Sequence, residues 1–166
     1  FYQGDHLLNN VSVENTSDKA LYGTGNANIT AEGLFFSDGD IGFAFTGETD
    51  VNITNSTFQN FSGAGIKNIF IEPIGRLPEP EDEEIYLSNS LITNNNYGLI
   101  LERNSYGNIN NNAIYGNSAA AWTNSDEEEP TLNFENNWWG SPTGPYHYFY
   151  NTSGEGDILE TADEDF

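Results

Sequence analysis

Apolar residues return along this chain in a fixed short spacing: six times, one is followed five places later by another. The pairs are Leu8/Val13, Ile29/Leu34, Ile53/Phe58, Leu87/Ile92, Ile109/Ile114 and Phe134/Trp139. Five of the six carry asparagine at the second place between, as Asn10, Asn55, Asn89, Asn111 and Asn136, with Ala31 the exception. Successive anchors lie 21, 24, 34, 22 and 25 residues apart. Recurrence at roughly 20–50 residues marks a stacked repeat architecture.

Around each anchor, apolar and polar residues alternate. Val51 and Ile53 fall on one side with Asn52 and Thr54 on the other, and Ala27/Ile29, Ile85/Leu87 and Leu132/Phe134 repeat the arrangement. Period-two alternation predicts short half-buried strands. A second apolar stretch returns about twelve places after each anchor, at Ala20-Leu21, Ile41-Gly42-Phe43, Gly65-Ile66, Gly98-Leu99 and Ala121-Trp122. One rung then holds two or three strands joined by turns of Asn, Ser and Gly, residues that tolerate left-handed backbone angles. Stacked in register, about six rungs make an all-β parallel solenoid, one domain over residues 1–166. The repeated asparagines are expected to turn inward as a buried structural ladder, each bonding its own turn and stacking on the next.

The 34-residue interval contains a surplus, residues 73–84, with three prolines and five acids. A smaller acidic stretch, 123–130, occupies the corresponding turn two rungs later. Both are expected to be loops projecting from one side, serving as binding elements or as tolerated decoration.

Charge narrows the partners. The chain carries 26 acidic residues against four basic ones, Lys19, Lys67, Arg76 and Arg103, for a net charge of −22. That balance excludes nucleic acid, which needs cationic side chains to displace counterions, and disfavours anionic membranes. It suits a solvated surface or a molar-salt habitat, where the screening length falls to about 3 Å. Calcium is a possible ligand of the acidic loops, though no EF-hand or nonapeptide calcium spacing occurs. No other cofactor or metal is expected. There is no cysteine, so disulfides and thiol chemistry are absent. No apolar stretch is long enough for a membrane span, so no membrane insertion is expected here.

Seven Asn-x-Ser/Thr tripeptides occur. In the register above, Asn10 and Asn55 are expected to be buried and unmodified. Asn15, Asn28, Asn52, Asn60 and Asn151 are expected to face outward as glycosylation candidates.

After the last repeat comes Asn136-Asn137-Trp138-Trp139-Gly140-Ser141-Pro142-Thr143-Gly144-Pro145-Tyr146-His147, then Asn151-Thr152-Ser153-Gly154-Glu155-Gly156-Asp157. This resembles the closing segment of secreted right-handed parallel β-helix proteins, the pectate-lyase-like solenoids of cell surfaces. The resemblance implies a right-handed coil with three sheets and a closing segment over 136–166. Trp138, Trp139, Pro142 and Pro145, with Gly140 at the turn, would then cover the end of the stack. A start at Phe1 without Met and a stop at Phe166, short of the strand that usually follows in such proteins, suggest a piece of a longer chain.

Catalytic constellations are sparse. The strand carboxylates Glu14, Glu32, Glu72, Glu102 and Glu135 form no pair on adjacent rungs. Lys67 and Arg103 follow the second apolar stretch of adjacent rungs, where ordinary salt bridges are the simpler expectation. His6 and His147 sit at opposite ends of the solenoid, and His147 is expected to pack rather than to bind metal. The reading is a non-catalytic extracellular module of a surface-layer, adhesin, filament or viral-fibre protein, presenting an acidic, N-glycosylated rod from an archaeal or halophilic source. Its partners would be other surface proteins, glycans or further copies of itself. The alternative is a carbohydrate-active β-helix enzyme, a polysaccharide lyase or epimerase, or a fragment of one.

Overall fold

The computed structural model describes residues 3–69, 83–102, 105–124 and 132–161. The described chain winds through five coils and a closing segment. Coil one holds β1 (Gly4–Asn9), β2 (Ser12–Glu14) and β3 (Lys19–Thr24); coil two holds β4 (Ala27–Glu32) and β5 (Phe35–Thr46). Coil three holds β6 (Thr49–Thr54) and β7 (Thr57–Asn68). Coil four holds β8 (Glu83–Ser88), β9 (Leu91–Thr93) and β10 (Tyr97–Glu102). Coil five holds β11 (Ser105–Asn110), β12 (Ala113–Tyr115) and β13 (Ala119–Asn124). The closing segment adds β14 (Leu132–Asn133), β15 (Pro145–Tyr146) and β16 (Gly156–Thr161).

The strands align as three parallel ladders. The first runs β1-β4-β6-β8-β11-β14. The second joins β2, the opening residues of β5 and β7, then β9 and β12. The third joins β3, the closing residues of β5 and β7, then β10, β13 and β16. In coils two and three the second and third strands run on as one twelve-residue strand, bent by a register shift between Gly39 and Ile41. The second apolar stretches fall together on the third ladder, where Leu21, Phe43, Ile66, Leu99 and Ala121 are in register.

Register corrects the reading of the second rung. Leu8 pairs with Ala31, Ala31 with Ile53, Ile53 with Leu87 and Leu87 with Ile109. The anchor of coil two is therefore Ala31, and its partner five places on is Phe36, fully buried and set edge-on to Phe58 at 5.6 Å. The larger Ile29 drew the pattern one inward position too early. With Ala31 as anchor, Gly33 takes the asparagine's place, at φ 68°. A Cβ on Gly33 would lie 2.6 Å from Asn10 Oδ1, an exposed side-chain end that can swing aside, so the backbone angle is what favours glycine here.

Inward positions fill the solenoid with apolar columns, including Phe36, Phe58, Ile92 and Ile114 in the second ladder. Each large buried side chain contributes about 1.5–3 kcal/mol. Of the two predicted acidic loops, residues 73–82 and 125–130 lie outside the described residues. Glu83 and Glu84 belong to β8, and Thr123 and Asn124 to β13, so those ends of the loops are strand. Strand pairing with the neighbouring coils holds them there.

Candidate functional site

The predicted buried asparagine ladder stands outside the core. Asn10, Asn55, Asn89, Asn111 and Asn136 occupy equivalent corner positions between the first and second ladders, and all five are exposed. Their φ angles lie between 51° and 60°. Asparagine is the side-chain-bearing residue that best tolerates this left-handed region, and a bend there sends its side chain outward. The second corner repeats the device with Asn15, Asp38, Asn60 and Asn94, followed by Gly116.

The inward role belongs to the next residue along. Leu34 N–H donates to Ser56 Oγ at 3.1 Å, and Ser56 N–H to Ser90 Oγ at 3.1 Å. Ser90 N–H donates to Asn112 Oδ1 at 3.0 Å, and Asn112 N–H to Asn137 Oδ1 at 2.9 Å. Asn112 also returns its amide hydrogens to Leu87 O at 2.9 Å and Asn110 O at 3.0 Å. One side-chain amide thus stands in for a peptide unit and carries the ladder around the bend.

A second inner ladder follows at the other corner. Phe61 N–H donates to Asn95 Oδ1 and Asn95 N–H to Asn117 Oδ1, both at 3.0 Å. It ends on Asp157, whose carboxylate accepts from Gly116 N–H at 3.0 Å, Asn117 N–H at 2.7 Å and the Asn117 amide at 3.1 Å. The closing motif therefore reaches back across forty residues to terminate this ladder. The sequence alone assigns Asp157 no role beyond its place in the closing motif. Doublets such as Asn94-Asn95 and Asn111-Asn112 were the available signal: one member for the bend, the next for the interior.

Exposure does not separate the candidate acceptors as expected. Asn15, Asn28, Asn52 and Asn60 face solvent, but so do Asn10 and Asn55. Asn151 is only half-exposed, and its amide nitrogen donates to Thr143 O at 2.9 Å and Pro145 O at 2.8 Å. The atom that would carry sugar is therefore tied to backbone carbonyls inside the closing turn, whereas those of Asn28, Asn55 and Asn60 meet the exposed carboxylates of Asp5, Glu32 and Asp38, which solvent can replace.

In the closing segment the two tryptophans divide. Trp139 is buried against Phe134 at 6.2 Å, and Asp157 N–H donates to its carbonyl at 3.0 Å. Trp138 bridges Ala113 through its backbone and leaves its side chain 47% exposed, so covering the core falls to Trp139. Pro142 is exposed, and Gly140 bends the chain at φ 89°. Pro145 opens β15, which pairs with β16. His147 is buried, and its Nδ1 accepts from Phe149 N–H and Tyr150 N–H at 3.1 Å, a structural use of the ring. Beside it, Tyr148, Phe149 and Tyr150 form an exposed aromatic turn.

A buried polar cluster marks the corner between the third ladder and the next coil. In the first ladder, Thr49, Glu83 and Ser105 occupy one inward column. Glu83 accepts from the Asn68 amide at 2.8 Å, and that amide also donates to Ser105 Oγ at 2.7 Å and Glu102 O at 2.5 Å. Burial pushes the Glu83 carboxyl up from 4.5 to about 8. The Asn68 hydrogen bond opposes that rise, and the Glu102 and Asp50 carboxylates add to it. Lys67 pairs with Glu102 at 3.4 Å, the ordinary salt bridge expected of it, while Arg103 lies outside the described residues. Sequence reading placed Glu83 in a solvated loop; its burial follows from a register that a run of acids concealed.

The first corner also carries an open groove of about 730 Å³. One wall is the row Asn55, Asn89, Asn111 and Asn136. The other is an outward column of the second ladder, Thr57, Leu91, Ala113 and Trp138, held in register by strand pairing and the Trp138 bridge. Ser56, Ser90 and Asn112 lie between them, and none of the described lining residues is ionisable. Among the described residues no three His, Asp or Glu side chains gather in a way that would hold a metal ion.

A stacked parallel solenoid with stapled corners defines the class of protein. Residues 1–138 match the family model described as the right-handed beta helix region. The chain belongs to the right-handed β-helix family. Neither a search of curated proteins nor one of solved structures returned a match.

Proposed function

We propose that this chain is a non-catalytic, extracellular structural and binding module that presents a stiff, acidic rod. The observation that carries the reading is the pair of inner ladders. They link consecutive coils through buried side chains and leave outward positions to Asn, Asp, Glu and Thr. Polar groups satisfied in this way fix one arrangement of the coils, which suits presentation of a surface. Exposed Asn15, Asn28, Asn52 and Asn60 are the positions offered for N-linked sugar, now joined by Asn10 and Asn55. Glycopeptide mass spectrometry of secreted material is expected to find sugar on several of these and none on Asn151; sugar confined to Asn151 would overturn the assignment.

Glu83 favours a second reading, the carbohydrate-active enzyme. A carboxyl that holds its proton near neutrality, bonded to Asn68 and within the field of Glu102 and Asp50, has the character of a general acid. Uncharged and uronate polysaccharides incubated with the chain, with and without calcium, are expected to yield no new reducing ends or unsaturated products. Turnover that disappears in Glu83→Gln or Lys67→Ala would replace the module with the enzyme. Calcium enters as a possible ligand of the acidic segments: unchanged melting and particle size in millimolar calcium would count against it.

A further inference from the structure

We propose that the groove along the first corner binds an uncharged, extended oligosaccharide laid parallel to the solenoid axis, so that successive sugar rings meet successive coils. The proposal deepens the binding-module reading and rests on it for the class of partner.

Periodicity is the first support. The outer row offers one primary amide per coil, and coils in a parallel stack rise about 4.8 Å. That rise is close to the length of one pyranose unit in an extended chain. An amide both donates and accepts, as a sugar hydroxyl does, so each coil can meet a ring whichever way its hydroxyls point. From Thr57 to Trp138 the opposite wall covers three coil steps, about 14 Å, enough for three or four rings.

That wall supplies the complementary chemistry. Leu91, Ala113 and Trp138 make an apolar strip beside the amides, and the half-exposed indole of Trp138 closes one end. A flat aromatic face turned to water suits the C–H face of a pyranose, which an all-polar groove would leave unmatched. Further along the same outward column, beyond Thr57, Phe35 is 37% exposed.

Charge selects the ligand within the sugar class. The chain carries −22, yet none of the described residues lining the groove is ionisable, and the carboxylate bonded to its wall, Glu32 on Asn55, adds negative charge. A uronate polymer would meet repulsion with no cation to relieve it, whereas a neutral glycan meets none. The amides are also fixed before the ligand arrives. Their left-handed backbone and the Ser56-Ser90-Asn112 links hold the Cα positions of the row in place, so the ordering cost left for binding is that of the amide side chains alone. Two existing exposed contacts must exchange for sugar hydroxyls: Asn55 to Glu32 at 3.1 Å and Asn111 to Asn110 at 3.0 Å.

The test is calorimetric or NMR titration of the whole chain with short β-linked oligomers of glucose, xylose, mannose and N-acetylglucosamine. Oligouronates serve as the charged control, and each titration is run at low and high salt. Saturable binding of at least one neutral oligomer, insensitive to salt, is expected. Trp138→Ala should weaken it about tenfold or more, Trp138→Tyr should retain most of it, and Asn89→Gly should weaken it about threefold to tenfold. Glycine keeps the left-handed bend, so the last variant removes the amide and spares the turn. Failure of every neutral oligomer to bind, preference for oligouronates, or binding unchanged in both Trp138→Ala and Asn89→Gly would overturn the proposal. If a neutral oligomer binds elsewhere, this site falls and the module reading stands. If the oligomer is bound through Trp138 and also cleaved, the site stands and the module reading falls.

Discussion

Asn111 and Asn112 are adjacent and of the same residue type, and the structure uses them in opposite ways. Asn111 sits at φ 58° with its side chain in solvent, and the row it belongs to forms one wall of the groove. Asn112 is 3% exposed and links coil four to the closing segment through a chain of amide hydrogen bonds. The outer row is selected by backbone conformation, the inner ladder by hydrogen-bonding capacity. Glycine can therefore replace a member of the first, as Gly33 does, while a member of the second links to the preceding coil only where it brings an acceptor atom, as Ser56 and Ser90 do. One residue of register separates a position that tolerates change from one that does not.

The largest departure from this division comes from Glu83, an inward position that carries an ionisable group. Its folded carboxyl keeps a proton between about pH 4.5 and 8, over which the unfolded chain has lost it. Stability from this residue is therefore fully present below about 4.5 and is lost as pH rises to about 8, at about 1.4 kcal/mol per pH unit. Glu83→Gln, always neutral, is expected to flatten the pH dependence of urea unfolding across that window and to raise stability most at its alkaline end. A pH profile that coincides with wild type would show that Glu83 is not protonated in the folded chain.

Removing an inner amide should come next. Asn112→Ala leaves the Ser90 N–H and Leu87 carbonyl without their partner, and is expected to cost roughly 3 kcal/mol in chemical denaturation. Asp157→Ala strands three donors at the end of the other ladder, one of them at the protein surface, and should cost roughly 2 kcal/mol. Loss below half a kcal/mol in either variant would mean that water replaces the side chain and that the ladders are not what fixes the coils.

Outer-row changes should be smaller and should depend on backbone. Asn111→Ala is expected to cost about 1 kcal/mol, the strain of an alanine in the left-handed region. Asn111→Gly should change stability by less than about 0.5 kcal/mol. Equal costs for the two would show that the Asn111 side chain, rather than its φ angle, holds the corner. Trp138→Ala, already half-exposed, should melt with wild type and serves as the control for the binding experiment.

The fold was legible because its signal is repeated. Alternation around Val51 and Ile53, and the return of apolar residues at Phe43, Ile66 and Leu99, marked inward positions that the structure buries. The corner residues were legible as a row but not as a direction. A repeated Asn is equally what a buried ladder and a left-handed bend require, and only φ separates the two. Coil two was misread because Ala31, a small anchor, sits beside the larger Ile29. Glu83 was hidden by composition: it lies within a run of acids, Glu81 to Glu84, and nothing local shows that β8 starts at it. The groove was invisible because its two walls, Asn89 and Leu91 among them, read as separate turn and strand residues until the coils are stacked.

The inner ladders are unevenly distributed, and that has a mechanical consequence. Among the described residues, the inner ladders join coil two to coil three at one corner only, Leu34 to Ser56, with Thr46 Oγ1 donating to Ile69 O at the end of the third ladder, whereas each later junction carries inner-ladder links at both corners. At the junction of coils one and two the corresponding inward residues are Val11 and Leu34, neither of which offers an acceptor side chain, and the backbone pairing is joined by side-chain contact at the surface such as Asn28 to Asp5 at 2.8 Å. Junctions in a coiled stack bear an axial load in series, so the weakest yields first. A pull along the axis should therefore peel coil one from coil two while coils four and five remain clamped to the closing segment. Amide hydrogen exchange should fall in the same order, fastest in β1 and β2 and slowest around Asn95 and Asn117.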